Sequence, residues 1–188
     1  MLWPGYKPCK RAWQLWANKS IDMIRVALQE DLPLVRSLAE RTWPSAYGHI
    51  ISAAQIHYML DLMYSDDALA EQYWAGHQFL LYEKEGQPIG FASWSLAPAT
   101  DLPGPGVYKL NKLYVLPQTQ QTGAGKALLH AVIDAVKAVE GQQLVLQVNK
   151  ANKAKSFYAK QGFTILREMV VALDHGFVMD DYLMGLSW

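Results

Sequence analysis

The chain has 188 residues, 51% of them hydrophobic, with 17 basic and 17 acidic side chains. This content is sufficient to bury the core of one domain, and the neutral balance argues against a nucleic-acid surface or an acidic tail. The one cysteine, Cys9, excludes an internal disulfide framework and any paired-cysteine zinc or redox site, and it fits a reducing cytoplasm. No stretch of about 18 apolar residues is present, so no transmembrane helix is expected.

The first 22 residues differ in composition from the rest of the chain. They contain three of the seven tryptophans and four basic residues against one acidic residue, without the continuous apolar stretch of a secretory signal. We interpret residues 1–22 as an N-terminal extension and residues 23–188 as the folded domain. The alternative is a short amphipathic turn around Trp13 and Trp16 that lies on the domain or on a membrane surface.

From Met23 onward, strand-like and helix-like segments alternate. Hydrophobic patterns predict strands at residues 24–28, 78–84, 88–96, 107–115, 143–148, 163–173 and 177–186. They predict helices at residues 30–41, 52–64, 66–74 and 151–161, and a long helix that follows the turn at Gly123 and Gly125 and ends at about residue 140. Hairpins come first and strand–helix–strand units follow. This order predicts one α/β domain with a mixed central sheet of about seven strands and helices on both faces.

The segment Gln118–Leu129, QTQQTGAGKALL, contains a glycine-rich turn between a strand and a helix. A Walker-type loop needs Gly in place of Gln120 and Ser or Thr in place of Ala127, and a dinucleotide fingerprint needs Gly in place of Leu128. Neither pattern is met. The glycines still allow an anion to approach the N–H groups of a helix N-terminus, which predicts a phosphate site of a more general kind. A plain turn with glycine used for packing is the alternative.

A second segment, residues 149–163, has the sequence NKANKAKSFYAKQGF. Ala154, Phe157 and Tyr158 recur at three- and four-residue spacing, which predicts a helix with Tyr158 on or beside its buried face. Asn149 and Asn152 stand where the preceding strand joins this helix, where they can cap the helix or hold a ligand amide. By itself the segment is an ordinary capped helix with an aromatic anchor.

Together, the two segments resemble the GNAT superfamily of N-acetyltransferases. The first matches the family's acetyl-CoA motif as Gln120-x-x-Gly123-x-Gly125, directly after a strand that ends Val-x-Pro. The second matches as Ala154-x-x-Phe-Tyr158-x-x-x-Gly162-Phe163, in the family's order and separation. LNKLYVLP, LQVNKANKAKSFY and MDDYLM are similar to the PaiA-like branch, whose characterised members acetylate polyamines. One position departs, because Ala151 stands where the family commonly has Asn, which leaves both Asn149 and Asn152 as candidates.

The resemblance implies where acetyl-CoA binds. The pyrophosphate is expected at the glycine turn, and the pantetheine arm is expected to lie as an added strand where residues 110–116 splay from residues 144–148. The residues expected to bind the cofactor are Leu113, Tyr114, Val115, Gln120, Gln121, Thr122, Gly123, Ala124, Gly125, Lys126, Asn149, Asn152 and Tyr158. No metal is expected.

The resemblance also implies a chemical role for two groups. The backbone N–H of Val115 would donate to the thioester oxygen, and the Tyr158 hydroxyl would protonate the departing thiolate. An amine with a pKa of about 10.4 must first lose a proton, which costs roughly 4.6 kcal/mol at pH 7. The strand at residues 107–115 contains no acidic residue, so the base is expected elsewhere. The candidates are Asp180, Asp181, Glu168, His77 and His175.

The acceptor is expected to bind in the segment Trp43–Tyr64, where Tyr47, Tyr58 and Asp61 can hold a cationic amine through a carboxylate and aromatic rings. The expected reaction is transfer of an acetyl group from acetyl-CoA to a primary amine, for example a polyamine, by direct attack in a ternary complex. A non-catalytic acetyl-CoA sensor and an enzyme that acetylates a protein N-terminus or a lysine are the alternatives. No nucleic-acid or membrane partner is expected, and a homodimer is compatible with the sequence.

Overall fold

The computed structural model describes residues 22–102 and 104–188. The expected extension, residues 1–22, lies outside the described residues except for Asp22. The strands are β1 (Met23–Val26), β2 (Gln78–Lys84), β3 (Gln87–Leu96), β4 (Val107–Val115), β5 (Gln143–Asn149), β6 (Thr164–Ala172) and β7 (Val178–Ser187). The α-helices are α1 (Leu32–Tyr47), α2 (Ala53–Tyr64), α3 (Asp66–Trp74), α4 (Ala124–Ala138) and α5 (Ala154–Lys160).

The seven strands form one mixed sheet in the order β1-β2-β3-β4-β5-β7-β6. Neighbours are antiparallel except β4 and β5, which are parallel. The two-residue turn between β2 and β3 consists of Glu85 and Gly86, both with positive φ, as a tight hairpin of right-handed twist requires. The predicted α/β class and the mixed sheet of seven strands are confirmed.

Helices cover both faces of this sheet. The ring of Phe91 in β3 lies 6.1 Å from that of Tyr64 in α2, centroid to centroid. A Cβ added to the preceding residue, Gly90, would lie 3.3 Å from a methyl of Leu128 in α4. Because successive side chains of a strand point to opposite faces, α2 and α4 lie on opposite sides of the sheet.

The two central strands separate along their length. β4 and β5 pair only from Val107 with Gln143 to Leu110 with Leu146. Beyond this point β4 continues to Val115 and β5 to Asn149 without pairing to each other. The predicted splay of the central strand pair is therefore present, and it opens a gap in the middle of the sheet.

Two of the predicted helices differ most from the structure in their bounds. The helix predicted at residues 30–41 starts at Leu32 and runs on to Tyr47 in spite of Pro44, because Thr42 and Trp43 are buried against the core. The helix predicted to start at residue 151 begins at Ala154. Side-chain oxygens of Asn149 and Asn152 accept the backbone N–H groups of residues 151 and 154, each at 2.9 Å, which holds the intervening residues in turns.

Candidate functional site

Two cavities meet at the splay of the central strands. The larger has a volume of about 900 Å³ and extends towards the glycine turn and α5. The smaller has a volume of about 290 Å³ and lies on the side of α1 and α2. Residues that line both cavities are Tyr47, Leu110, Asn111, Lys112, Tyr114 and Gln147. The arrangement therefore offers two binding spaces joined at one point.

The glycine turn forms one end of the larger cavity. Gly123 caps α4 with a φ of 91°, a left-handed conformation that glycine adopts without strain. None of the backbone N–H groups from Gln121 to Lys126 donates to a backbone acceptor among the described residues. With the positive end of the dipole of α4, these N–H groups form a site suited to an anion.

Most of the residues expected to bind the cofactor line this larger cavity: Leu113, Tyr114, Val115, Gln120, Gln121, Gly123, Gly125, Lys126, Asn152 and Tyr158. Thr122 and Ala124 belong to the same turn without lining the cavity. Asn149 lies at the smaller cavity instead. Of the two candidate asparagines, only Asn152 is thus placed at the cavity where the cofactor is expected.

The edge of β4 offers backbone donors to the splay. The N–H of Leu116 donates to Ile89 at 2.8 Å, across the antiparallel pair of β3 and β4. Since N–H groups alternate in direction along a strand, those of Leu113 and Val115 point away from β3 and into the gap. Both are available to an extended ligand placed between β4 and β5.

Tyr158 lies on α5 with its side chain 8% exposed, and it lines the larger cavity. Its ring packs against those of Phe157 and Phe163, at centroid distances of 5.2 and 5.7 Å. Burial, with a smaller contribution from Tyr47, raises the pKa of Tyr158 above its usual range. The phenol therefore stays protonated and is able to donate a hydrogen bond.

Asp181 is a buried carboxylate at the smaller cavity. It lies in β7 opposite Asn149 of β5, and it is 6% exposed. Burial, reinforced by the neighbouring charge of Asp180, raises the pKa of Asp181 to about 6. A carboxylate with this pKa is mostly ionised at neutral pH and is more basic than a solvated one. It is therefore equipped to accept a proton from a bound group.

The other candidates for the base are placed less favourably. His77 lines the smaller cavity, but burial and the charges of Lys112 and Lys109 lower its pKa below the usual range. Glu168 and Asp180 form ion pairs with Lys150 at 2.7 and 2.6 Å outside the cavities. His175 packs beside Tyr58 and lines neither cavity.

The structure brings one of the three predicted acceptor residues to the site. Tyr47 lines both cavities, and its hydroxyl lies 3.1 Å from that of Tyr114. Tyr58 lines neither cavity, because its ring packs against the segment that follows β6 and its hydroxyl donates to Asp174 at 3.3 Å. Asp61 is exposed on α2 and also lies away from both cavities.

Lys112 is a residue at the site that the sequence pattern did not indicate. Regular alternation along β4 would place Lys109 and Lys112 on opposite faces of the sheet. A register shift opposite Ser93 and Trp94 adds one residue to β4, and both lysines line the smaller cavity. In the sequence, the only indication that Lys112 belongs to the site is its spacing of three residues from Lys109. This spacing becomes informative once the position of the bulge is known.

Neither a membrane-spanning segment nor a metal site is found in the described part of the chain. No helix within residues 22–102 and 104–188 has the length and apolar character needed to cross a bilayer. No group of three or more His, Cys, Asp or Glu side chains in these residues is placed to hold a metal ion.

Comparisons with known proteins agree with this geometry. Residues 51–178 match the model of the GNAT acetyltransferase domain. Uncharacterised N-acetyltransferases of Mycobacterium bovis and Mycobacterium tuberculosis are 30% identical over 137 residues, which is 72% of this chain and 84% of theirs.

Two solved structures show the same fold. The PaiA N-acetyltransferase of Thermoplasma acidophilum, in complex with coenzyme A, matches with a TM-score of 0.72 at 22% identity, over 89% of this chain and 99% of that one. A GCN5-related N-acetyltransferase of Rhodopseudomonas palustris matches with a TM-score of 0.74 at 21% identity, over 90% of this chain and 97% of that one. From the family model and the mycobacterial relatives, the chain belongs to the GNAT family of acetyltransferases, whose acetyl donor is acetyl-CoA.

Proposed function

We propose that this chain transfers an acetyl group from acetyl-CoA to the primary amine of a small molecule, by direct attack in a ternary complex. The observation that carries the proposal is the junction of two cavities, one with an anion-binding turn and the other with a buried carboxylate. In the reaction the amine nitrogen forms a bond to the acetyl carbon while the carbon–sulfur bond breaks. The amine proton passes to the base, and the thiolate gains a proton.

The larger cavity fits the acetyl donor, acetyl-CoA. The N–H groups from Gln121 to Lys126 would hold the pyrophosphate, with the Lys126 ammonium adding a positive charge. The free N–H groups of Leu113 and Val115 would pair with the extended pantetheine arm and the thioester oxygen. The backbone N–H of Val115 is the expected hydrogen-bond donor to the thioester oxygen. The N–H of Leu113 is the alternative, since Leu113 stands nearer to the residues that line both cavities.

Tyr158 is proposed as the acid. The motif at residues 154–163 resembles the family motif whose tyrosine hydroxyl donates a hydrogen bond to the thioester sulfur. Tyr158 lines the larger cavity, which fits acetyl-CoA. The raised pKa keeps the phenol protonated until negative charge develops on the sulfur. A hydrogen bond to a developing anion in a buried site is stronger than one to a neutral thioester, so it favours the transition state.

Asp181 is proposed as the base. An ordinary ammonium and a carboxylate of pKa about 6 differ by roughly 4.4 pK units, which corresponds to about 6 kcal/mol. Burial in the smaller cavity reduces this difference, because it disfavours the ammonium form of the bound amine.

The volume of the smaller cavity favours a small acceptor over a protein. At about 290 Å³ the cavity has the size of a metabolite pocket. A polyamine, as the PaiA-like resemblance implies, is one member of the proposed acceptor class. The proposed acid at the larger cavity and the proposed base at the smaller one argue against a sensor without catalysis, because binding alone needs neither.

The expected cytoplasmic location stays a prediction. So does the homodimer, for which the edge strand β6 offers exposed apolar side chains, Val170 among them.

The proposed reaction is tested by two-substrate kinetics with product identification. Initial rates measured against acetyl-CoA and an amine should give intersecting double-reciprocal lines, and mass spectrometry should find one acetyl group on the amine nitrogen. Parallel lines together with an acetylated protein intermediate would contradict direct attack. An acetylated peptide N-terminus without any acetylated small amine would favour the protein-modifying alternative.

The glycine turn leads to a prediction about donor binding. In Gly125→Asp, we expect the affinity for acetyl-CoA to fall at least tenfold, about 1.4 kcal/mol, through steric conflict and repulsion of the pyrophosphate. A Cβ at this position meets only Val115, at an ordinary 3.7 Å, so the fold should tolerate it. Calorimetric titration measures the affinity, with Gly125→Ala as the control for the added Cβ. Unchanged affinity in a folded Gly125→Asp variant would remove the pyrophosphate from this turn.

The domain boundary is also a proposal. We propose that residues 23–188 fold and bind acetyl-CoA without residues 1–22, because the composition of the chain changes at Met23. A chain starting at Met23 is expected to melt within a few degrees of the full chain and to bind acetyl-CoA equally well. A much lower melting temperature would instead assign residues 1–22 to the core.

A further inference from the structure

Lys112 is a charged side chain almost completely buried at the smaller cavity. It is 4% exposed, its ammonium donates to the amide oxygen of Gln72 at 2.5 Å, and it lies 5.1 Å from the centroid of the Tyr64 ring. No carboxylate in the described part of the chain forms an ion pair with it. A buried ammonium without a counter-ion is costly, and its three donors are not all used by these two neighbours.

The remaining charges of the cavity show what Lys112 faces. Lys109 also lines the cavity, but its ammonium forms an ion pair with Asp101 at 2.6 Å, and that carboxylate is itself buried. His77 is held neutral by its lowered pKa. Two unpaired charges are left among the described lining residues, the ammonium of Lys112 and the carboxylate of Asp181. A ligand complementary to this pair carries both a carboxylate and an ammonium group.

One wall of the cavity is mainly apolar. On the side of α1, α2 and β7, the apolar lining residues are Trp43, Ile51, Met59, Met63, Val178 and Met179. Such a wall favours an apolar ligand body, at about 25 cal/mol per Å² of surface removed from water. The volume of about 290 Å³ accommodates a molecule of the size of one amino acid.

We propose that the acceptor is a small amino carboxylate with an apolar body, its amino group at Asp181 and its carboxylate at Lys112. The inference rests on the proposed function, because it names the acceptor of that reaction. A polyamine fits these charges poorly, since it would bring at least two cations to one carboxylate and a buried lysine. Burial, together with the charge of Lys109, lowers the pKa of Lys112 to about 8, so the side chain is mostly protonated at neutral pH.

The test compares acceptors that differ only by the carboxylate. Leucine is paired with 3-methylbutylamine, phenylalanine with phenethylamine, and ornithine with putrescine. We expect the wild-type protein to have a kcat/KM at least tenfold higher for the carboxylate-bearing member of the apolar pairs. Lys112→Met should lower kcat/KM for the amino acids by about 10- to 100-fold, mainly through KM, and leave the simple amines within a few-fold. Lys160→Met, which removes an exposed lysine, is the matched control and should change neither.

The outcomes separate this inference from the proposed function. Equal or better activity with the simple amines, or an unchanged preference in Lys112→Met, would overturn the inference and leave the acetyltransferase intact. If no acceptor is acetylated, the proposed function fails, and calorimetry in the presence of coenzyme A decides the inference. Binding of leucine to wild type that weakens at least tenfold in Lys112→Met would support it. No binding, or equal binding to both proteins, would refute it.

Discussion

Replacing Tyr158 by phenylalanine is expected to lower kcat by about 10²–10⁴-fold, the range typical of general-acid assistance. The change removes only the hydroxyl, so the packing against Phe157 and Phe163 is kept and the fold should be stable. KM for acetyl-CoA should stay within a few-fold, because the hydroxyl acts on charge that develops only in the transition state. Steady-state kinetics at saturating amine measures both constants.

The control for this variant is Tyr73→Phe, which removes a phenol hydroxyl from α3, away from both cavities. Its kcat should equal that of the wild type. Turnover of Tyr158→Phe close to the wild-type value would show that Tyr158 is a packing residue. A large rise in KM for acetyl-CoA with unchanged kcat would make it a binding residue instead of the acid.

Replacing Asp181 by asparagine is expected to lower kcat/KM for the amine by about 10²–10⁴-fold at neutral pH, the size of effect typical of losing a general base. The carboxylate acts as a base only when ionised. Because the pKa of Asp181 is about 6, the wild-type kcat/KM should fall about tenfold per pH unit below pH 6. Above pH 6 the wild-type kcat/KM should no longer change with the ionisation of Asp181. The variant should lack this limb of the profile, since an amide does not titrate. A pH profile of both proteins measures the difference.

Asp180→Asn is the matched control for this variant, because it changes the adjacent carboxylate, which pairs with Lys150 outside the cavities. It should remain active. The acid limb should move to lower pH, since the charge of Asp180 contributes to the raised pKa of Asp181. If Asp181→Asn keeps its activity while His77→Asn loses it, the base is His77 and the assignment of Asp181 is wrong.

The donor half of the site could be predicted from sequence because it is built locally. The turn at Gly123 and Gly125 and the first turn of α4 are contiguous, and their ligand groups are backbone N–H groups that depend little on side-chain packing. Helical spacing predicted that Tyr158 lies on or beside the buried face of its helix. The splay of β4 from β5 and the chemical role of Tyr158 were implied by the GNAT resemblance, since the pairing of these two strands joins residues far apart in the sequence.

The acceptor half could not be predicted because distant segments assemble it. Asp181 reaches the cavity through the pairing of β7 with β5, and Lys112 reaches it through a bulge whose position depends on β3. In α2 the helical face that lines the cavity carries Gln55, Met59 and Met63, at four-residue spacing. Tyr58 and Asp61 lie off that face, and residue type alone could not show it.

We propose that the protein turns over acetyl-CoA at the junction of the two cavities, with an amine as acceptor. The most direct measurement is release of the coenzyme A thiol by the wild-type protein, with acetyl-CoA and a panel of simple amines, polyamines, amino acids and peptides. We predict release that requires an acceptor and matches the amount of N-acetylated product, with small acceptors preferred. Tight binding of acetyl-CoA by calorimetry, with no release above the protein-free rate for any acceptor, would contradict the account and identify the protein as a sensor.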